Sequence, residues 1–349
     1  MSPNATEGRA ATAGAATPPP DDIARDGRGR PALARVVANP LFAVVTGLIA
    51  LVIAFSIVNG SAFASVDNVR NITLDAAITL VLAVGITYVI VTAGFDLSVG
   101  SVLVFSGVFA MKVMGWVGGS SWPTALLGLL GALAAGGAWG ALNGWLVAYA
   151  RLNPIIVTLG SLGAALGLSL VVAGGADLVD VPASMIDLGN ERVLGVPPVA
   201  LIALVFAAVA GVVLAKTVFG RHTYAIGSSK EAAERAGIAV ERHLVRIYLF
   251  SGACAGLAGW LALARFSTTS ISGHSLDALN AATAALLGGA SLYGGVGTIV
   301  GTVLGAFIPV VLANGLVIGG VQSYWQQVVT GVVLVLAVYL DSERRKRNE

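Results

Sequence analysis

"TAGFDLSVGS", residues 92–101, places one carboxylate, Asp96, between two long apolar runs and sets Gly94, Ser98, Gly100 and Ser101 around it. A carboxylate at the middle of a bilayer costs about 2.5–3.5 kcal/mol on insertion scales, so it stands in such a place only with partners or near an interface. The flanking runs decide which. They cover roughly 71–93 and 98–115, each about the 20 residues that cross a hydrocarbon core of about 30 Å. The stretch therefore reads as a tight turn between two membrane spans.

The same pattern fills most of the chain. It has 349 residues, 56% hydrophobic and 11% charged, with 45 glycines, whereas a soluble domain carries roughly 25% charged residues. Such a chain cannot cover its surface with polar groups in water, so the expected fold is an all-α integral membrane protein. Ten apolar spans are expected, at roughly 40–59, 71–93, 98–115, 124–148, 155–174, 198–215, 244–264, 278–293, 298–318 and 326–340. The third and eighth are short, as a broken or partly inserted helix would be; that form is allowed only where protein or water covers the open backbone. Residues 1–38, rich in Ala, Pro, Thr, Gly and Arg, hold nothing to build a core and read as a disordered tail. The membrane-spanning body is expected over 39–341 and a basic tail over 342–349.

Lysine and arginine mark the cytoplasmic side of a membrane protein. Segment 216–246 carries Lys216, Arg221, Lys230, Arg235, Arg242 and Arg246, and the chain ends with Arg344, Arg345, Lys346 and Arg347. Loop 175–197 instead carries Asp177, Asp180, Asp187 and Glu191. Ten crossings that begin inside put both basic segments and both termini in the cytoplasm and the acidic loop outside. The net charge of +2 gives no reason to expect a nucleic-acid partner.

Within the basic loop, "SSKEAAERAG" (228–237) reads as a short helix. Ser228 and Glu231 have capping-box spacing. Lys230, Glu231, Ala232, Ala233, Glu234, Arg235 and Ala236 favour helix, and Gly237 is placed to end it. Ala232, Ala233 and Ala236 share a small, smooth face. A helix this short is marginal alone, so something else must hold it, and a groove on a soluble partner is one such support.

Five segments in order carry a family resemblance: "GFDLSVGSVLVFSG" (94–107), "NPIIVTLGSLGAALGLSLV" (153–171), "FGRHTYAIGSSKEAAERAGI" (219–238), "LLGGASLYGGVGTIVGTVLGAFI" (286–308) and "WQQVVTGVVLVLAVYLD" (325–341). Together they resemble the permeases of ribose/xylose-type sugar ABC importers of bacteria, and 231–237 resembles their EAA loop. The resemblance implies a location in the cytoplasmic (inner) membrane and two permease copies, identical or not, embedded in lipid. It also implies a separate ABC ATPase chain that receives the loop and a periplasmic or extracellular sugar-binding protein. The solute it implies is a monosaccharide or related polyol. Where relatives often carry Glu-Leu-Asp before the glycine pair, this chain has Ala278, Leu279 and Asn280.

Candidate pathway residues are the polar groups in or beside spans. Asp96 reads first as a cap that accepts from the Ser98 or Val99 N–H at the cytoplasmic turn, and second as a gate with Ser98 and Ser101. Asn153 is an N-cap before Pro154; Thr158 and Ser161 follow on one face. Asn280 and Asn314 stand in late spans, where they bond either sugar hydroxyls or neighbouring helices. Asp75 is expected to snorkel or pair with Arg70, Arg265 to anchor the seventh span at the interface, and His274 to lie in an outer loop. Cys254 reads as a small packing residue. Gly-Lys never occurs, so no phosphate loop is present, and no nucleophile–base pair or metal-ligand spacing stands out. The chain is therefore expected to be no enzyme and to need no cofactor. The rival reading is a lone secondary transporter or facilitator of a small polar solute, which has no need of an EAA helix.

Overall fold

The computed structural model describes residues 40–274 and 276–346. The expected 1–38 tail and the last three residues of the 342–349 tail lie outside them. The described chain is an all-α integral membrane protein of thirteen helices: α1 (Pro40–Phe63), α2 (Val66–Val91), α3 (Val99–Val117), α4 (Trp122–Ala148), α5 (Pro154–Ala173), α6 (Ala183–Asn190), α7 (Pro198–Lys216), α8 (Val218–Ser228), α9 (Lys230–Arg235), α10 (Val240–Phe266), α11 (Asp277–Leu287), α12 (Ile299–Ile318) and α13 (Ser323–Lys346). Eight of them, α1 to α5, α7, α10 and α12, are long and apolar enough to cross a membrane. In α13 the apolar stretch is shorter, Tyr324–Tyr339, and the helix continues through Lys346 into the segment expected as a tail.

The eighth expected span is the exception. Within 278–293 the helix, α11 of 11 residues, ends at Leu287, about 16 Å along, and turns follow it. That is half a hydrocarbon core. An irregular stretch, 267–274, precedes it. The chain leaves α10 at Phe266, at the end that carries the acidic loop, and by Gly295 its N–H reaches the Val91 carbonyl at 2.9 Å, at the basic-loop end of α2.

Local sequence sets the helix ends. Ser65 accepts from the Asn68 N–H to open α2, and Thr298 from the Gly301 N–H to open α12. Asn153 accepts from the Ile155 N–H at 2.9 Å with Pro154 beside it in the first turn. Gly174, left-handed at φ 81, ends α5.

Helices α2 and α10 are buried nearly all round and make the centre of the molecule, while α1, α5 and α7 present most of their apolar surface outward. In lipid no hydrophobic force draws helices together, so close backbone approach has to do it. Between α4 and α10 that approach is made by glycine. A Cβ on Gly136 would collide with the Gly252 carbonyl oxygen, one on Gly140 with that of Tyr248, and one on Gly256 with that of Ala132. Cys254 is buried in the same helix.

Gly140→Val and Gly252→Val should therefore force α4 and α10 apart, at about 1–3 kcal/mol or more for overpacking. Gly163→Val in α5, where nothing lies within 4 Å of the added carbon, serves as the control. Thermal unfolding of the purified protein in detergent should show lowered midpoints for the first two and little change for the third.

Candidate functional site

Three polar regions stand out against this apolar frame. The first is the basic loop. Thr217 caps α8, a helix not foreseen within the loop, and Ser229 caps α9 by accepting from the Ala232 N–H at 3.2 Å. The cap is thus one residue later than expected: the Ser228 hydroxyl instead donates to the Tyr224 carbonyl at 2.9 Å. The Glu231 carboxylate accepts from its own N–H and from the Ser229 hydroxyl, which hold it below the usual carboxylate range. The alanines do not act as one face. Ala233 alone is buried, packed with Ile226, Val240, Leu244 and Ala148. Ala232 and Ala236 are exposed, as are Lys230, Glu231, Glu234, Arg235 and Gly237. The short helix is therefore pinned to the chain by one methyl group and shows the remainder outward. Gly237, at φ 82, turns the chain into α10.

This loop is welded to the spans. A Cβ on Gly227, at the end of α8, would collide with both the Val91 carbonyl and the Gly295 nitrogen. The Tyr224 hydroxyl donates to the Gly297 carbonyl at 2.7 Å. Movement of α8 and α9 therefore bears on the ends of α2 and α12 as well as on α10.

The second region surrounds Asp96. Asp96 is turned into the protein and is only 2% exposed, although Ala93 in the same turn is exposed. The Ser98 N–H (3.0 Å) and hydroxyl (2.6 Å) donate to Oδ1, and the Ser251 hydroxyl donates to Oδ2 at 3.2 Å. Ser251 stands about 16 Å along α10 from its start. The Asn143 amide donates to the Ser98 hydroxyl at 2.9 Å, and the Ser161 hydroxyl donates to the Asn143 carbonyl oxygen. A single row of donors from α5, α4, α3 and α10 thus ends on one carboxylate. The expected bond to the Ser98 N–H is present, but Ser98, rather than Asp96, is the N-cap position of α3. Ser101 donates back to the Ser98 carbonyl, and Thr158, fully buried, to that of Ile155. Asn153 is exposed and does no more than cap α5. Asn143 and Ser251 were missed; Asn143 is the amide inside the 124–148 run and could have been singled out on that ground.

The third region is a cavity of about 440 Å³ at the acidic-loop end. Arg265 Nε donates to Asp75 Oδ1 at 2.9 Å and its Nη2 to Asn71 Oδ1 at 3.3 Å. Asp75 thus pairs with Arg265 and not with Arg70, whose guanidinium donates to the Gly189 and Asn190 carbonyls. Arg265 is accordingly a cavity residue more than an interfacial anchor. His274 is buried, not in an outer loop, and its Nδ1 lies 2.7 Å from Asp277 Oδ2. Asn314 exchanges two 2.9 Å bonds with Asn68. Asn280 also lines the cavity, and its buried Oδ1 has no hydrogen-bond partner among the described residues. The eight candidate residues therefore separate. Asp96, Ser98, Ser101, Thr158 and Ser161 are inside the inner half, Asn280 and Asn314 stand at the outer cavity, and Asn153 lies apart.

The family described as "Branched-chain amino acid transport system / permease component" matches residues 68–338. The chain is 38% identical to the ribose import permease protein RbsC of Escherichia coli (strain K12), covering 85% of this chain and 93% of that protein. It is 32% identical to the D-allose transport system permease protein AlsC of the same strain, over 84% and 89% of the two chains. For the xylose transport system permease protein XylH, also of that strain, the identity is 31% over 88% and 93%. No solved structure matches.

Asp96→Leu would strand the Ser98 N–H and the Ser98 and Ser251 hydroxyls in a dry site, at about 1–3 kcal/mol for each stranded donor. Asp96→Asn keeps an acceptor and should cost less. Denaturation of the detergent-purified chain should rank the three proteins wild type, Asn, Leu in falling stability; equal stability of all three would remove the donor row as a structural tie.

Proposed function

We propose that this chain, which belongs to the branched-chain amino acid transport system / permease component family, moves a monosaccharide across the cytoplasmic membrane as the permease subunit of an ATP-driven importer. It is a multi-pass membrane permease; the sugar class follows its relatives, which are named for ribose, allose and xylose. The family implies an ATPase and a substrate-binding protein as partners. The finer reading adds a second permease copy beside this one, the ATPase under α9, and the binding protein over the acidic-loop face.

One observation carries this reading: α10 is a single 27-residue helix, about 40 Å long, whose first turns hold α9 through Val240 and Leu244 and whose last turn presents Arg265 to the outer cavity. Force applied at α9 by a closing ATPase reaches the cavity through one rigid body, because the α4–α10 glycine contacts forbid α10 from sliding independently. The weld of Gly227 to Val91 and Gly295 carries the same movement into α2 and α12. Arg265 and its α2 partners Asp75 and Asn71 then move as one wall of the cavity, and their shift against Asn280 of α11 alternates it between a closed and an open form. The solute meets hydroxyl and amide groups in transit, whose bonds are each weak enough to exchange. A lone carrier would leave the exposed, capped α9 without a task.

Gly237→Val places a β-branched residue at φ 82, a conformation that costs about 1–3 kcal/mol for such a side chain, and alters the joint between α9 and α10. The spans should insert normally and the ATPase should bind weakly or fail to be stimulated. Uptake of D-ribose, D-allose or D-xylose by proteoliposomes holding the assembled importer should fall together with stimulated ATP hydrolysis. Wild-type rates of both in the variant would remove α9 as the coupling element.

A further inference from the structure

We propose that the outer cavity is a binding site for a neutral polyhydroxy solute, anchored by Asn280 and continued inward by Thr283. This rests on the importer reading above and adds the residues and the charge selection.

The cavity's charged groups are committed to one another. Arg265 is held by Asp75 and Asn71, and Asp277 by His274. A zwitterionic solute would have to displace one of these pairs to gain a counter-charge, and a desolvated charge left without its partner is costly. A sugar needs no such exchange. Its hydroxyls both donate and accept, and they fit the lone pairs and N–H groups that the pairs leave over.

Asn280 supplies the group without a present task. Asn280 is a lining residue, and its carbonyl oxygen, shielded from the open space, lacks a hydrogen-bond partner among the described residues, so a turn of the amide offers it to a solute. One step along α11, Thr283 is fully buried and its hydroxyl is likewise without a partner among the described residues. Buried polar groups are normally bonded, and an exception asks for a reason. Here two exceptions follow one another at three-residue spacing, which makes them neighbours on a helix, and His274 and Asp277 precede them at the same spacing. The row leads from the cavity toward the basic-loop end. Below Thr283 the seam is shut: a Cβ on Gly305 of α12 would collide with the Ala284 carbonyl, and one on Gly301 with that of Gly288. Beside the cavity itself Pro309 interrupts α12, where it cannot donate to the Gly305 carbonyl. The site is thus open above and closed below, as a station on an inward route must be in one of its states.

The test uses the importer assembled in proteoliposomes from this chain with its ATPase and binding protein, and D-ribose, D-allose, D-xylose and L-leucine as probes. Wild type should import at least one of the sugars and not L-leucine. Asn280→Leu and Thr283→Val should each lower that uptake about tenfold, the loss of one useful hydrogen bond in a transition state. Binding-protein-stimulated ATP hydrolysis should stay within about twofold of wild type, and the neutral replacements Asn280→Gln and Thr283→Ser should recover most of the uptake. Import of L-leucine and no sugar would overturn both the importer reading's substrate and this site. Sugar import by wild type with undiminished import by Asn280→Leu and Thr283→Val overturns the site alone. So does failure of Asn280→Gln and Thr283→Ser to recover uptake in folded, hydrolysing importers, because a merely structural defect would then explain the loss.

Discussion

Backbone polar groups inside a bilayer have no water to turn to, and that constraint governs where this chain leaves the helix. Two of the described stretches where it does so are 92–98 and 267–274, and in both protein supplies what lipid cannot. In the first stretch the Ala93 and Gly94 N–H groups donate back to Ile90 and Val89, and Ser98 to Asp96. In the second, the Ile271 N–H meets the Asp177 carboxylate at 2.6 Å, and Thr269 exchanges bonds with Leu178 of the acidic loop. The acidic loop is therefore a fastening for a broken span as well as a surface feature. Both irregular stretches abut α10, which is buried nearly all round, and the second reaches the first turn of α3, where Gly100 faces the His274 carbonyl.

The two breaks divide the work of the molecule. At the inner one, Ser98 and Ser251 donate to Asp96, and Asn143 and Ser161 extend the row; the region holds a shape. At the outer one, charges are paired, the Asn280 carbonyl oxygen has no partner among the described residues, and 440 Å³ remains open; the region leaves room for a solute. α10 joins them, since Ser251 belongs to the first and Arg265 to the second. Tight glycine contacts bind that helix to α4 between the two.

Much of this was legible in the sequence because it depends on local patterns. Runs of apolar residues marked the spans within a few residues. The Lys/Arg imbalance gave the two faces, and Asn153 before Pro154 announced a capped start. The short eighth run already pointed to a broken helix, and α11 is one. What escaped depended on partners distant in sequence. Asp75 took Arg265, 190 residues away, over Arg70 on its own helix. His274 is buried because 267–274 folds inward, which no spacing within that stretch announces. The cap of α9 moved to Ser229 because α8, itself unforeseen, runs on through Ser228.

The sequence by itself determined that this is a helical membrane protein with an inner basic handle, since hydrophobicity, charge bias and cap chemistry act over a few residues and need no fold to be read. Only the tertiary structure decided that Asp96 is buried with three donors on its carboxylate, while the Asn280 carbonyl oxygen is buried without a partner among the described residues. Burial and hydrogen bonding are set by which helices meet, and in lipid that choice rests on close packing between surfaces far apart along the chain.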